Sequence, residues 1–148
     1  MNLPPEPQVE SNVREEIARL AAVFQQGPLG AYLRGFPDEE RHLRSVMSPL
    51  NAIPVYRGWE DVLILTPDGS VLWVNTDRFR EPEHVTDAGW RILAKIHAAR
   101  AHPALGPLVP VRSVNSISCP ECSGTGAITV GEVTAGCGVC WSLGWFLP

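Results

Sequence analysis

The chain has 148 residues, 45% of them hydrophobic, enough for one modest core and a small appended module. Its 12 basic and 16 acidic residues leave a formal charge of −4. No apolar run approaches the roughly 18 to 20 residues that a membrane-spanning helix needs, which excludes such a helix. The opening residues carry no basic segment followed by an apolar one, so no export signal is read and a cytoplasmic chain is expected. Lys95 is the single lysine beside eleven arginines. With so many prolines, glycines and alanines, that bias fits GC-rich coding better than phosphate contacts.

In chain order, the proline-rich residues 1–10 are expected to fray. Asn12 and Glu15 have capping-box spacing, and Val13, Ile17, Leu20, Ala21 and Phe24 recur at helical intervals up to Gly27 and Pro28. Residues 28–37 read as an irregular link anchored by Leu29, Tyr32, Leu33 and Phe36. A second helix is expected from a cap at Pro37 and Asp38 through Leu43, Val46 and Met47, stopping before Pro49. Asp38, Glu39 and Glu40 have the residue types of metal ligands. In a first helical turn, though, acids commonly just complement the helix dipole.

Residues 62–66 and 70–74 form the clearest strand pair, joined by Pro67, Asp68 and Gly69 at a hairpin turn. Both arms are apolar on successive residues, so both faces of the sheet are expected to be covered. Residues 53–56 add an edge strand, where Pro54 is tolerable. Trp59 and Trp73 are expected in the core. Asn75 and Asp77 open a polar exit loop, and no partner histidine or nucleophile stands at a recognisable spacing from Asp77. A third helix, Ala88 to Ala101, is capped by Thr86 or Asp87. Its apolar face is Ile92, Leu93, Ile96 and Ala99, with Arg91 and Lys95 pointing away. His97 reads as a satisfied boundary histidine. His102, five residues on, does not share a helical face with it as a ligand pair would. Residues 103–118 read as an extended connector.

All four cysteines fall within the last thirty residues, as two Cys-x-x-Cys pairs with fourteen residues between Cys122 and Cys137. The usual gap for paired motifs of this kind is about 15 to 20 residues, so this one is slightly short. Each pair supplies two thiolates to a tetrahedral metal, so Cys119, Cys122, Cys137 and Cys140 are the expected ligands of one structural zinc ion. Gly124 lies two residues past Cys122, where a positive φ curls the chain and aims backbone N–H groups at sulfur. Ala127 to Val130 is β-prone, Gly131 is a turn residue, and Val133 and Thr134 begin a return arm.

This tail resembles the Cys-x-x-Cys-x-Gly-x-Gly zinc repeats of the DnaJ chaperone family. The first repeat matches in full at Cys119, Cys122, Gly124 and Gly126. The second has Cys137, Cys140 and Gly144, with Ser142 in place of a glycine. That family holds two zincs with four repeats, and two repeats suffice for one. The chain has no J-domain His-Pro-Asp signature, so a co-chaperone role does not come over with the resemblance.

Other uses of the cysteines fit less well. Disulfides call for an oxidising compartment, which the missing export signal argues against. A thioredoxin-like pair needs one Cys-x-x-Cys in a βα setting. A zinc deaminase needs His-x-Glu upstream, and none of His42, His84, His97 and His102 has glutamate two residues on. Four cysteines also leave a zinc no open position for water. Beyond Arg112 there is no basic residue, and four thiolates around a dication leave a charge of about −2, so a nucleic-acid partner is not expected. Trp141, Trp145 and Phe146 remain open to two readings: they weld the module to the first domain, or they form an apolar patch that grips another protein.

The expected fold is α+β: a helix-helix-β-hairpin-helix domain over 1–112 and a zinc-binding hairpin module over 113–148. The expected function is non-enzymatic protein interaction, of an adaptor or chaperone-like kind. The element order, with Gly58 and Trp59, also resembles the small acidic immunity domains of the SUKH type, which implies the alternative of neutralising a partner protein. A thiol redox protein is the second alternative. An enzyme would need a pocket joining Asp77, His84 or His97.

Overall fold

The computed structural model describes residues 2–76, 78 and 80–148. Asp77 lies outside the described residues. The architecture is α+β: three helices around a four-stranded antiparallel sheet, followed by four short strands around the cysteines. No helix among the described residues is long and apolar enough to cross a membrane.

Helix α1 (Ser11–Gln26) buries Val13, Ile17, Leu20 and Ala21. It begins before Asn12, because the Glu10 carbonyl already accepts from Val13 N–H (3.1 Å) and Arg14 N–H (3.0 Å). The capping box expected at Asn12 is therefore not used. At its far end, Arg44 donates to the carbonyls of Phe24 (2.6 Å), Gln25 (2.8 Å) and Gly27 (2.6 Å). These are the acceptors that a helix C-terminus leaves unpaired.

Helix α2 (Glu39–Leu50) carries Pro49 inside its last turn, beyond the expected stop. A proline there forfeits one backbone hydrogen bond. The end is then closed by Asn51 at φ 54°, with Ala52 N–H on Met47 O (3.1 Å) and Asn51 N–H on Ser48 O (3.3 Å). Glu39 also departs from expectation, since only 2% of it is exposed. Its carboxylate accepts from the backbone N–H groups of Phe36 (2.7 Å) and Arg34 (3.2 Å) and from Thr76 Oγ1 (3.1 Å). Burial pushes its pKa up, but these donors and Arg34 outweigh burial and leave it below the usual carboxylate range. Glu39 therefore ties the 34–36 loop to the exit of the sheet.

The sheet runs β1 (Ile53–Arg57), β2 (Asp61–Leu65), β3 (Val71–Asn75), β4 (Glu83–His84) in that order. Successive side chains on a strand point to opposite faces. Leu63 and Leu65, with Ile53, Val55 and Val71, meet α1 and the third helix, α3 (Ala88–Ala101). Val62 and Ile64, with Leu72 and Val74, meet Leu29 and the Leu43 and Met47 of α2. Both faces are covered, which is why both hairpin arms are apolar throughout. Pro54 sits on edge strand β1 beside an irregularity in its pairing with β2.

Asp87 caps α3 through Oδ1, which accepts from Gly89 N–H (2.8 Å) and Trp90 N–H (3.3 Å). Four other expectations fail. Residues 2–9 are seated rather than frayed, and their Glu6 carboxylate binds Arg91 Nε and Lys95 Nζ, each at 2.9 Å. Lys95 is consequently buried instead of pointing into water. Pro103–Leu108 is a 3-10 turn whose Leu105 and Leu108 are fully buried in the main core, so this stretch is no loose connector. Trp59, at the β1–β2 turn, is 88% exposed and joins none of the buried clusters formed by the described residues.

Candidate metal centre

The four cysteines close the C-terminal region around one point. Strand β5 (Ile117–Ser118) leads into the first cysteine turn, and strands β6 (Ala127–Val130) and β7 (Val133–Gly136) pair antiparallel on the way to the second. Strand β8 (Trp145–Phe146) then returns to pair with β5. Cys119, Cys122, Cys137 and Cys140 are all buried, with their sulfurs within 4.8 Å of one another.

The two turns repeat each other at an offset of eighteen residues, and they interlock. Cys119 N–H donates to Gly144 O and Cys137 N–H to Gly126 O, both at 2.9 Å. Gly126 N–H points at Cys122 Sγ and Gly144 N–H at Cys140 Sγ, both at 3.2 Å. Gly124 N–H closes on Cys119 O, and Ser142 N–H closes on Cys137 O, both at 3.0 Å. Each cysteine pair is thus held by backbone from the other, so neither turn is complete alone. Ser142, which stands where the first repeat has Gly124, adopts the same left-handed backbone (φ 68° against 81°). Its Oγ lies 3.4 Å from His97 Nε2, and its carbonyl accepts from Arg100 Nη2 at 3.4 Å.

The spacing of the sulfurs fits a metal ion. A tetrahedral centre with metal–sulfur bonds of about 2.3 Å has sulfur–sulfur edges of about 3.8 Å. The close pairs here are Cys119–Cys137 at 3.9 Å and Cys122–Cys140 at 3.7 Å. All four cysteines are free, and both close pairs run between the two turns. The electrostatics agree with a cation at the centre. For Cys122, burial raises the thiol pKa, but the Gly126 N–H and the neighbouring thiols more than reverse this, to about 7. For Cys140, burial and the neighbouring thiols outweigh the Gly144 N–H and push it up to about 12. Four sulfurs this close cannot all ionise unaided, and a metal cation held between them would supply the charge that lets them.

The expected apolar tail is mostly inside the molecule. Trp145 and Phe146 are each only 5% exposed, so they are not an open gripping surface. Phe146 packs into the cysteine cluster with Leu3 and Ile128. Trp141 lies edge-on against Trp90 of α3 (centroids 5.1 Å), over Gly89, where an added Cβ would come within 2.2 Å of the indole. A module this small cannot bury its own aromatics, so it borrows α3 for the purpose. Trp90 in turn meets Trp73 at 5.0 Å. His97 is half-buried against the Tyr56 ring (4.8 Å), and its pKa is lowered by burial and by Arg100. His84 is exposed on β4.

Sequence reading overlooked Leu3, Glu6 and Arg100 as supports of this region. For Leu3 and Glu6 no local signal existed, since both act over more than eighty residues of chain. The eighteen-residue offset between the repeats was there to be read. It relates Gly126 to Gly144 and marks both as close-approach positions. No known protein family matches the chain, and no curated protein or solved structure is found to be similar to it.

Proposed function

We propose that this chain is a non-enzymatic protein-interaction protein whose C-terminal region is organised by one structural zinc ion. The zinc reading is carried by the sulfur spacing, which matches a closed tetrahedral thiolate site with no corner left for water or substrate. Cys119, Cys122, Cys137 and Cys140 would hold the ion, and the ion would supply the positive charge that keeps four thiolates together. Protein purified without added zinc is expected to hold one zinc per chain, with thiols that react only after chelation. Metal-free protein with four freely reactive thiols would overturn this and favour thiol redox chemistry.

The interaction reading is carried by the surface beside the sheet. Trp59 is 88% exposed and Phe36 is 60% exposed. Arg34 joins them: its guanidinium lies 5.3 Å from the Phe36 ring centroid, and its Nη1 donates to Trp59 O at 3.4 Å. Tryptophan and arginine are the residues most often found at the energetic centre of protein interfaces. Next to Trp59 opens a cleft of about 270 Å³ lined by the carboxylates of Glu60, Asp61, Glu81 and Glu83. Arg80 is the one cation among its described lining residues, beside Trp73 and Asn75, so acids predominate. Burial and the neighbouring Glu60 raise the pKa of Asp61, as expected of crowded carboxylates. A partner presenting basic side chains fits this charge, and nucleic acid does not. The test compares partners captured by the unaltered chain and by Trp59→Ala, with Glu60→Gln as a charge probe. Loss of a shared partner in both variants supports the reading, and an unchanged set refutes it.

A further inference from the structure

Residues 2–9 cross three parts of the molecule as one extended strap stiffened by Pro4, Pro5 and Pro7. At one end Asn2 and Leu147 exchange backbone hydrogen bonds, Asn2 N–H to Leu147 O at 3.1 Å and Leu147 N–H to Asn2 O at 2.8 Å. Beside this bridge Leu3 packs on the buried cysteine cluster. In the middle, Glu6 takes both Arg91 and Lys95, and the Lys95 side chain is only 6% exposed. At the other end Val9 joins the main core and covers Gly69 in the β2–β3 turn, where an added Cβ would lie 2.4 Å from Val9 Cγ2.

We propose that this strap is a metal-dependent latch, closed when the cysteine site is loaded and open when it is empty. The proposal rests on the metal reading above. Both contacts at the Asn2 end are made to the cysteine module: Leu3 packs on the cluster that the four cysteines form with Phe146, and Leu147 follows β8, which leaves the second turn directly after Gly144. Without a cation the clustered thiols lose their common centre, and with it the interlock that places β8 and the seat of Leu3. The strap is then left with its contacts through Glu6 and Val9. Opening bares Arg91 and Lys95 beside Arg14, in a cleft of about 600 Å³ where the closed form sets Glu6 against them. Among the described residues lining the opened cleft, these three cations face the single carboxylate of Asp68. The metal therefore controls whether this chain shows a basic groove.

Coupling of this kind is reciprocal. If metal closes the strap, the strap must tighten metal binding by the same factor, and among the described residues the hydrogen bonds of the Glu6 carboxylate go to α3. Two measurements on the full chain test this. Hydrogen exchange is compared between zinc-loaded and chelated protein. On chelation, exchange at Leu147 and Asn2, the two amides of the bridge, is expected to speed up about tenfold or more, while β2 amides stay protected. Zinc affinity is then compared among the unaltered chain, Glu6→Gln and Ile64→Val, a core change on the far face of the sheet. Glu6→Gln is expected to weaken zinc about fivefold or more, and Ile64→Val to leave it unchanged. Zinc uptake with metal-independent exchange of the strap overturns the latch and leaves the metal reading standing. Equal weakening by both variants also overturns it, since general destabilisation then explains the effect. A chain that takes up no metal refutes both. The exchange comparison uses the unaltered chain, so it decides the question even if Glu6→Gln fails to fold.

Discussion

The interlocked turns give their glycines unequal weight, and this can be tested at Gly124 and Gly126. Both have positive φ, 81° and 77°. An alanine in that region costs about 1–2 kcal/mol whatever surrounds it. At Gly124 that is nearly the whole cost, since an added Cβ would first meet Ser118 at 3.6 Å, an ordinary contact. Ser142 already occupies the equivalent position. At Gly126 a Cβ would lie 2.3 Å from Ser142 O and 3.0 Å from its carbonyl carbon. Both are backbone atoms of the other turn, and neither can swing aside. Forced overpacking of this kind adds about 1–3 kcal/mol. Because metal binding and folding of such a module are linked, the cost is read as lost metal affinity. Competition for zinc against a chromophoric chelator should place Gly126→Ala about five- to hundredfold below Gly124→Ala. Gly144→Ala should follow Gly126→Ala, with its Cβ 2.6 Å from Gly124 O. Equal affinities for the three variants, or a larger loss at Gly124, would refute the interlock.

Two further outcomes follow from burial. Trp145→Ala should cost about 3–5 kcal/mol in denaturant unfolding, whereas Trp59→Ala should change stability by no more than about 0.5 kcal/mol. The reverse order would mean that the module does not bury its aromatics against the rest of the chain. Glu39 has a folded pKa lowered from 4.5, so its contribution to stability is complete above that value and is lost as pH falls through the lower folded value. Glu39→Gln should cost about 1–3 kcal/mol at neutral pH and flatten this part of the acid limb. An unchanged acid limb in urea titrations at successive pH values would remove Glu39 from that role.

Short-range patterns in the chain determined much of this protein. Helical spacing placed α3 at Ala88–Ala101 with Thr86 or Asp87 as its cap, of which the fold uses Asp87. Unbroken apolar runs flanking a Pro-Asp-Gly turn placed the central hairpin with both faces buried. The cysteine spacing alone pointed to the four side chains that now lie within 4.8 Å of one another. Such signals are legible because each depends on residues a turn or two apart. Only the tertiary structure decided the fate of individual side chains whose partners are remote. Trp59 was expected inside and stands in water, because no described element of the fold packs over its side chain in the β1–β2 turn. Lys95 was expected in water and is buried, because Glu6 arrives from more than eighty residues away to neutralise it. Glu39 left the solvent-facing role of a first-turn acid for a buried one once loop 34–36 and Thr76 brought it donors. A charge or an indole has no burial of its own. Its place is set by whichever distant surface the fold brings against it, and no local pattern encodes that surface.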